Sequence, residues 1–326
     1  MKVLITGIAG QTGSHLADYL LEQPNIEVHG VVRYRTDMTN IHHIIDKLQL
    51  HDCELRDAHN VNRMIKKARP DIVFHLAATS FVRASWDQPA DIMNNNINSQ
   101  INLFEALLSF APDAKIQVAC TSEQFGKVLP HEVPITEDND LRPISPYGVS
   151  KCAQENLAYQ YNQSYGLHTI ITRTFNHSGP RRGDAFVESS FSKQVALIEA
   201  GLQDPIIYHG NLESVRDYTD ARDIAEAYWY AIQKCNPGEP YNICSSMKVT
   251  IGGLLELFIG LSTFDGEIET KVDPDRLRPS DVTLLYGNSD KFNAATGWRP
   301  KYTLEQTMGD LLNAWRKKIA AFKMMG

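Results

Sequence analysis

Cysteine is scarce in this 326-residue chain: Cys53, Cys120, Cys152, Cys235 and Cys244 are scattered, with no Cys-x-x-Cys spacing. That pattern supports neither a zinc site nor a disulfide framework, so no metal is expected and a reducing cytoplasm is the expected compartment. No apolar run approaches the length of about 20 residues that spans a bilayer. The N-terminus opens directly into a strand-like segment instead of a secretory leader, so no membrane association is expected. Excess positive charge is missing too. Lys and Arg number 32 against 39 Asp and Glu, a net charge of −7, which argues against a general nucleic-acid binder. Repeats and low-complexity segments are also missing. What remains, 43% hydrophobic and 22% charged residues, describes a globular chain long enough for one large or two coupled domains.

Residues 3–6 form a short apolar run bounded at once by glycine, as a buried parallel strand should be. Gly7, Gly10 and Gly13 follow in a Gly-x-x-Gly-x-x-Gly pattern, and 14–22 reads as an amphipathic helix. Strand, glycine turn and helix together make a dinucleotide-phosphate cradle, with the helix N-terminus facing the pyrophosphate. A second strand over 27–32 should end beside the adenosine ribose, where an acid usually holds the 2′-hydroxyl of NAD. Arg33 and Arg35 stand there instead. Guanidinium groups suit a 2′-phosphate, so NADP is the expected cofactor, with Asp37 close enough to keep NAD open. Further strands are expected over 71–78, 115–120 and 167–174, with a helix over 96–108.

At the end of the 115–120 strand stand Thr121, Ser122 and Glu123, a hydroxyl and a carboxylate where α/β sites usually lie. Downstream, Ser145 can cap a helix whose first turn holds Pro146, and Tyr147 and Lys151 share one face of it. An ammonium near a phenol favours the phenolate, so Tyr147 is a candidate base.

These motifs, with His75-Leu-Ala-Ala78 and Arg216-Asp-Tyr218 in order after the glycines, resemble an extended short-chain dehydrogenase/reductase of the nucleotide-sugar epimerase/dehydratase family over essentially the whole chain. The resemblance implies an α/β fold: a Rossmann-type doubly wound parallel sheet with a smaller, interleaved α/β substrate domain. Residues 1–174 would form the dinucleotide-binding domain, with 215–245 returning to it, and 175–214 with 246–326 would be mainly substrate-binding. The cofactor would meet Gly7, Gly10, Gln11, Thr12, Gly13, Arg33 and Arg35, then Glu54, Leu55, Leu76, Ala77, Ala78, Tyr147 and Lys151. Glu54 departs from the aspartate the family usually places near the adenine. The substrate would meet Ser80, Ser122, Asn176, Arg216 and Arg278. Thr121 and Tyr147 would hold the sugar 4-hydroxyl, and Lys151 would lower the phenol pKa.

Within that family, 119–126 and 175–183 are similar to GDP-mannose 4,6-dehydratase, whose Thr-Ser-Glu supplies a carboxylate base. Segments 210–220 and 278–281 are similar to GDP-6-deoxy-4-ketohexose reductase. The expected activity is therefore an NADP-dependent dehydration of a nucleotide sugar, GDP-mannose, with Thr121, Glu123, Tyr147 and Lys151 catalytic. A 4-keto reductase and a non-catalytic dinucleotide-binding sensor or scaffold stay open. Helices over 98–110 and 147–165 resemble the pair this superfamily uses for association, so a homodimer or homotetramer is expected. The amphipathic stretch 304–320 should pack as a C-terminal helix.

Overall fold

The computed structural model describes residues 1–277 and 282–325. Arg278, expected to bind substrate, lies outside the described residues, as does the rest of 278–281. Strands β1 (Lys2–Thr6), β2 (Glu27–Val32), β3 (Gln49–Asp52), β4 (Ile72–His75), β5 (Lys115–Thr121) and β6 (His168–Thr174) join a seventh strand, Pro240–Ile243, in one sheet. All neighbours pair in parallel. From one edge the order is the seventh strand, β6, β5, β4, β1, β2, β3. The chain thus starts mid-sheet, winds outward through β2 and β3, and returns to lay β4 against the other side of β1. That reversal opens a crevice at the carboxyl ends of β1 and β4.

Parallel strands need crossover connections, and their helices cover both faces of the sheet. Side chains alternate along β1: Val3 and Ile5 enter one hydrophobic cluster and Leu4 the other. The first cluster draws on helix α1 (Gln11–Leu21) and on the helix Ala221–Lys234, through Leu16, Leu20, Ile224 and Tyr228. Phe292 and Trp298, from far along the chain, also lie in it. The second cluster draws on the helices Ala58–Ala68, Ser99–Phe110 and Pro146–Tyr165 through Val61, Ile65, Leu103, Leu107 and Ala158.

A third cluster belongs to the helices Val187–Glu199, Ile251–Gly260 and Leu304–Met325. Met308, Leu311, Leu312, Trp315 and Ile319 recur at helical spacing on the last of these and are all buried, each contributing about 1.5–3 kcal/mol. Arg316 grips Glu199 with two nitrogens at 2.7 and 2.6 Å, and Trp315 Nε1 donates to Ser189 Oγ at 2.9 Å. The stretch expected to pack does so.

The strand expected over 71–78 is confined to Ile72–His75, and two helices start elsewhere than expected. Helix α1 begins at Gln11, before residue 14, because extended Gly10 already serves as its N-cap. The helix expected from residue 96 starts at Ser99 and is preceded by a π-helical turn, Asn94–Asn98. No helix among the described residues is long and apolar enough to cross a membrane.

Candidate active site

The crevice at the switch point opens into a cleft of about 1530 Å³, larger than the roughly 300–1,000 Å³ of an ordinary ligand pocket. It has room for two ligands side by side. At one end β1 runs through Gly7 into α1. A Cβ on Gly13 would stand 2.3 Å from the Gly7 carbonyl oxygen, so only glycine lets the helix start this close to the turn. Gly7, Gly10, Gln11, Thr12 and Gly13 line this end, and Arg33, Glu54, Leu55, Leu76, Ala77 and Ala78 continue the wall. The turn, the helix N-terminus and the narrow approach fit a dinucleotide.

At the other end β5 delivers Thr121. Its Oγ1 accepts from Glu123 N at 3.3 Å, and Gln124 Oε1 accepts from Thr121 N at 3.0 Å, a capping box that fixes the short turn Ser122–Gln124. The facing helix starts as its sequence requires: Ser145 Oγ accepts from Gly148 N at 3.0 Å and Pro146 occupies the first turn. A Cβ on Gly148 would lie 2.8 Å from the Glu123 carbonyl oxygen, so the helix can press against the Thr121 turn only with glycine there. This contact brings the Tyr147 phenol close to the Thr121 side chain. Ser80, Ser122, Glu123, Asn176 and Arg216 line the same cleft.

Burial governs the electrostatics. Tyr147 and Lys151 are 7% and 4% exposed. Loss of hydration raises the phenol pKa, the nearby Glu123 carboxylate raises it further, and the Thr121 side chain opposes both. Lys151 is lowered to about 8 by burial, and its Nζ donates to Ala119 O at 2.7 Å, 6.0 Å from the centre of the tyrosine ring. In the protein alone the net shift of the phenol is upward. Helical spacing puts both groups on one face, but the ammonium bonds a β5 carbonyl and desolvation outweighs it. Beneath them His75 is lowered to about 3 by burial and by Lys151, so it is neutral where it meets Thr6 Oγ1 at 3.0 Å.

Three sequence-selected residues sit differently from their assigned parts. Arg35 does not line the cleft; it borders a shallow depression beyond Arg33, with Tyr34, Asp52, Asn60 and Arg63. Its backbone turns through φ +62° there, which carries it past the cleft wall. Gln11 reaches the cleft but spends its side chain elsewhere: Nε2 donates to Gly179 O and Pro180 O at 3.1 and 3.2 Å, and Oε1 accepts from Arg182 at 3.2 Å. Glu54 turns its carboxylate onto Arg56, at 3.2 Å from both Nε and Nη2.

Several residues in or beside the cleft stand outside the assigned site set. Arg182 lies over the Phe186 ring at 3.4 Å and pairs with buried Glu188 at 2.9 Å, and Tyr218 donates to the same carboxylate at 3.4 Å. His177 hydrogen-bonds Thr12 at 3.0 Å, joining the segment after β6 to the cradle. Asn96, within the π-helical turn, accepts from Thr79 N at 2.9 Å and donates to Ser150 Oγ at 3.0 Å, tying the loop after β4 to the tyrosine helix. Only the segment 175–183, singled out for its motif, hinted at Arg182 and His177.

Behind Thr121 lies a buried polar chain. Gln124 Nε2 donates to Glu155 at 2.7 Å, and Arg173 grips the same carboxylate at 2.6 and 3.0 Å. Glu155→Gln is expected to cost about 1.5–3 kcal/mol, because it leaves a buried guanidinium without its charged acceptor. Equilibrium chemical denaturation measures that loss, and an unchanged midpoint would show that the pair is dispensable.

A doubly wound sheet with a glycine cradle at its switch point, and Thr121, Tyr147 and Lys151 converging in the same cleft, defines a dinucleotide-binding protein of the short-chain dehydrogenase/reductase class. The family model of GDP-mannose 4,6 dehydratase matches residues 4–311, and the chain belongs to that family. It is 32% identical to GDP-mannose 4,6-dehydratase sdnI of Sordaria araneosa over 99% of its own length and 62% of that longer protein. It is also 32% identical to GDP-mannose 4,6 dehydratase 1 of Arabidopsis thaliana, over 98% of this chain and 92% of the relative. GDP-6-deoxy-D-mannose reductase of Pseudomonas aeruginosa is 28% identical over 98% of both chains. Among solved structures, that of RMD from Pseudomonas aeruginosa complexed with NADPH superposes with a TM-score of 0.85 at 27% identity, covering 97% of this chain and 99% of that one.

Proposed function

We propose that this protein is a nucleotide-sugar 4,6-dehydratase that converts GDP-mannose to GDP-4-keto-6-deoxymannose with NADP as its resident cofactor. The observation that carries the proposal is the position of Glu123, in the same cleft as the Tyr147 phenol and close enough to act on it electrostatically. Internal dehydration needs proton acceptors for two adjacent positions of one sugar, the 4-hydroxyl and the C5 hydrogen, and these two residues supply them.

Gly7, Gly10 and Gly13 would cradle the dinucleotide, Arg33 would meet its 2′-phosphate, and Lys151 its nicotinamide ribose. When bound, the cofactor supplies reversible hydride transfer, taking hydride from C4 and returning it to C6. Preference for NADP is supported by Arg33 and by Asp37, whose Oδ1 is engaged by Thr39 N and Oγ1 at 2.9 and 2.5 Å. That oxygen is thus committed to its own turn.

On the substrate side, Tyr147 in its phenolate form accepts the 4-hydroxyl proton while Thr121 orients that hydroxyl. A ketone at C4 acidifies the neighbouring C5 hydrogen, and Glu123 removes it. The protonated carboxyl then gives its proton to the departing 6-hydroxyl, which leaves as water. Arg216, 6% exposed, would face the diphosphate, as guanidinium groups do. Ser80, Ser122 and Asn176 would hold the sugar; Asn176 Oδ1 is buried without a hydrogen-bond partner among the described residues.

The test is incubation with GDP-mannose and a trace of NADP⁺, followed by mass measurement of the nucleotide sugar. Loss of one water is expected. The relationship to the Pseudomonas aeruginosa reductase supports a second reading, reduction of a 4-keto sugar, which needs Tyr147 and Lys151 but no base for C5. An unchanged GDP-mannose together with NADPH-dependent reduction of GDP-4-keto-6-deoxymannose would replace the dehydratase by the reductase. Dinucleotide binding without either reaction would leave a sensor.

A further inference from the structure

We infer that Arg63, on the helix Ala58–Ala68, is a third guanidinium of the 2′-phosphate site and helps to select NADP over NAD. The inference rests on the NADP reading and adds a residue that lies 28 positions beyond Arg35 in sequence. Arg33, Arg35 and Arg63 border one depression, which continues the cofactor end of the cleft past Arg33, Thr36 and Glu54.

A lone arginine on an exposed helix face is ordinarily a solvated charge. This one is held. Arg63 Nη2 donates to Asn60 Oδ1 at 3.1 Å, and Asn60 Nδ2 donates to Asp57 Oδ2 at 2.7 Å. The guanidinium is thereby drawn back along the helix toward the end of β3, where it acts electrostatically on Cys53. Asn60 borders the same depression.

The local charge balance favours a dianion. Two carboxylates, Asp52 and Glu54, also border the depression, but Glu54 is gripped by Arg56 through both of its oxygens. Three guanidinium groups therefore face one uncommitted carboxylate. A phosphate ester carries close to two negative charges at neutral pH, and guanidinium forks match its oxygens. A bare ribose 2′-hydroxyl offers nothing that would need three cations.

The test is calorimetric titration of the full-length protein with 2′,5′-ADP and with 5′-AMP, comparing wild type, Arg63→Gln and Lys67→Gln. Lys67 lies one turn further along the same helix and controls for general loss of positive charge. Arg63→Gln is expected to lose about ten- to a hundredfold in affinity for 2′,5′-ADP with 5′-AMP unchanged, while Lys67→Gln keeps both affinities. Arg63→Lys, with charge but no fork, should fall between. Equal weakening of both nucleotides by Arg63→Gln, or no weakening, would overturn the assignment of Arg63. A wild type that binds 2′,5′-ADP no more tightly than 5′-AMP would overturn the NADP reading itself, an outcome seen before any variant is made.

Discussion

Glu123→Gln is expected to oxidise C4 of GDP-mannose and then stall before water leaves. The substitution keeps the size of the side chain and the backbone amide that Thr121 Oγ1 accepts from, so the turn after β5 should survive. Tyr147, Thr121 and Lys151 are untouched, and with them the machinery for the first proton transfer. What disappears is the acceptor for the C5 hydrogen. Loss of a positioned general base costs about 10²–10⁴ in rate. Solvent-deuterium incorporation at C5 and the mass of the product report that step directly. The same substitution should barely affect a reductase. A variant that exchanges C5 and eliminates water at the wild-type rate would remove Glu123 from the mechanism. There is also an electrostatic signature. The Glu123 carboxylate is one cause of the raised Tyr147 pKa, so its neutral replacement should move the rise of C4 oxidation with pH toward lower pH.

Tyr147→Phe should bind both ligands and turn over neither. Phenyl fills the volume of the phenol, so the helix contact at Gly148 and the fold persist, and the loss should appear in kcat and not in the melting temperature. The expected fall is again about 10²–10⁴. Near-wild-type turnover would refute Tyr147 as the proton acceptor. In the protein alone, burial opposes ionisation of Tyr147 and holds Lys151 at about 8. The ammonium is therefore present below pH 8 and is lost as pH rises through that value. Any support that Lys151 gives the phenolate should fade in the same interval.

The parts of the site that were legible in the sequence are those whose geometry is local. Gly7, Gly10 and Gly13 make a turn within seven residues, and Tyr147 and Lys151 share a helix face, so neither arrangement needs a distant partner. Strand β5 could be read from its apolar run, which placed Thr121 and Glu123 at its end. The remainder depends on long-range contacts. Arg182 meets Gln11 across 171 positions, and Asn96 meets Ser150 across 54; no periodicity reports such pairs. Gln11 looked like a cradle residue because its backbone is one, but its side chain answers to the loop after β6. Arg35 was separated from Arg33 by a left-handed backbone turn that spacing does not reveal. The direction of the Tyr147 shift could not be seen for a different reason: four-residue spacing fixes proximity, whereas desolvation depends on everything packed around the pair.

The hydrophobic cluster that combines β1 with Ile224, Tyr241, Phe292 and Trp298 has a consequence for how the protein is made. A ribosome adding about 5–20 residues per second needs roughly 15–60 s to travel from the glycine turn to Trp298. Throughout that interval Val3 and Ile5 lack part of their covering layer, and between the synthesis of β6 and that of Pro240–Ile243 the outer edge of β6 has no partner strand. The nascent chain therefore carries an open strand edge and an uncovered apolar sheet face, both features that invite pairing with other chains. Chaperone engagement during synthesis should last until the final third of the chain has emerged.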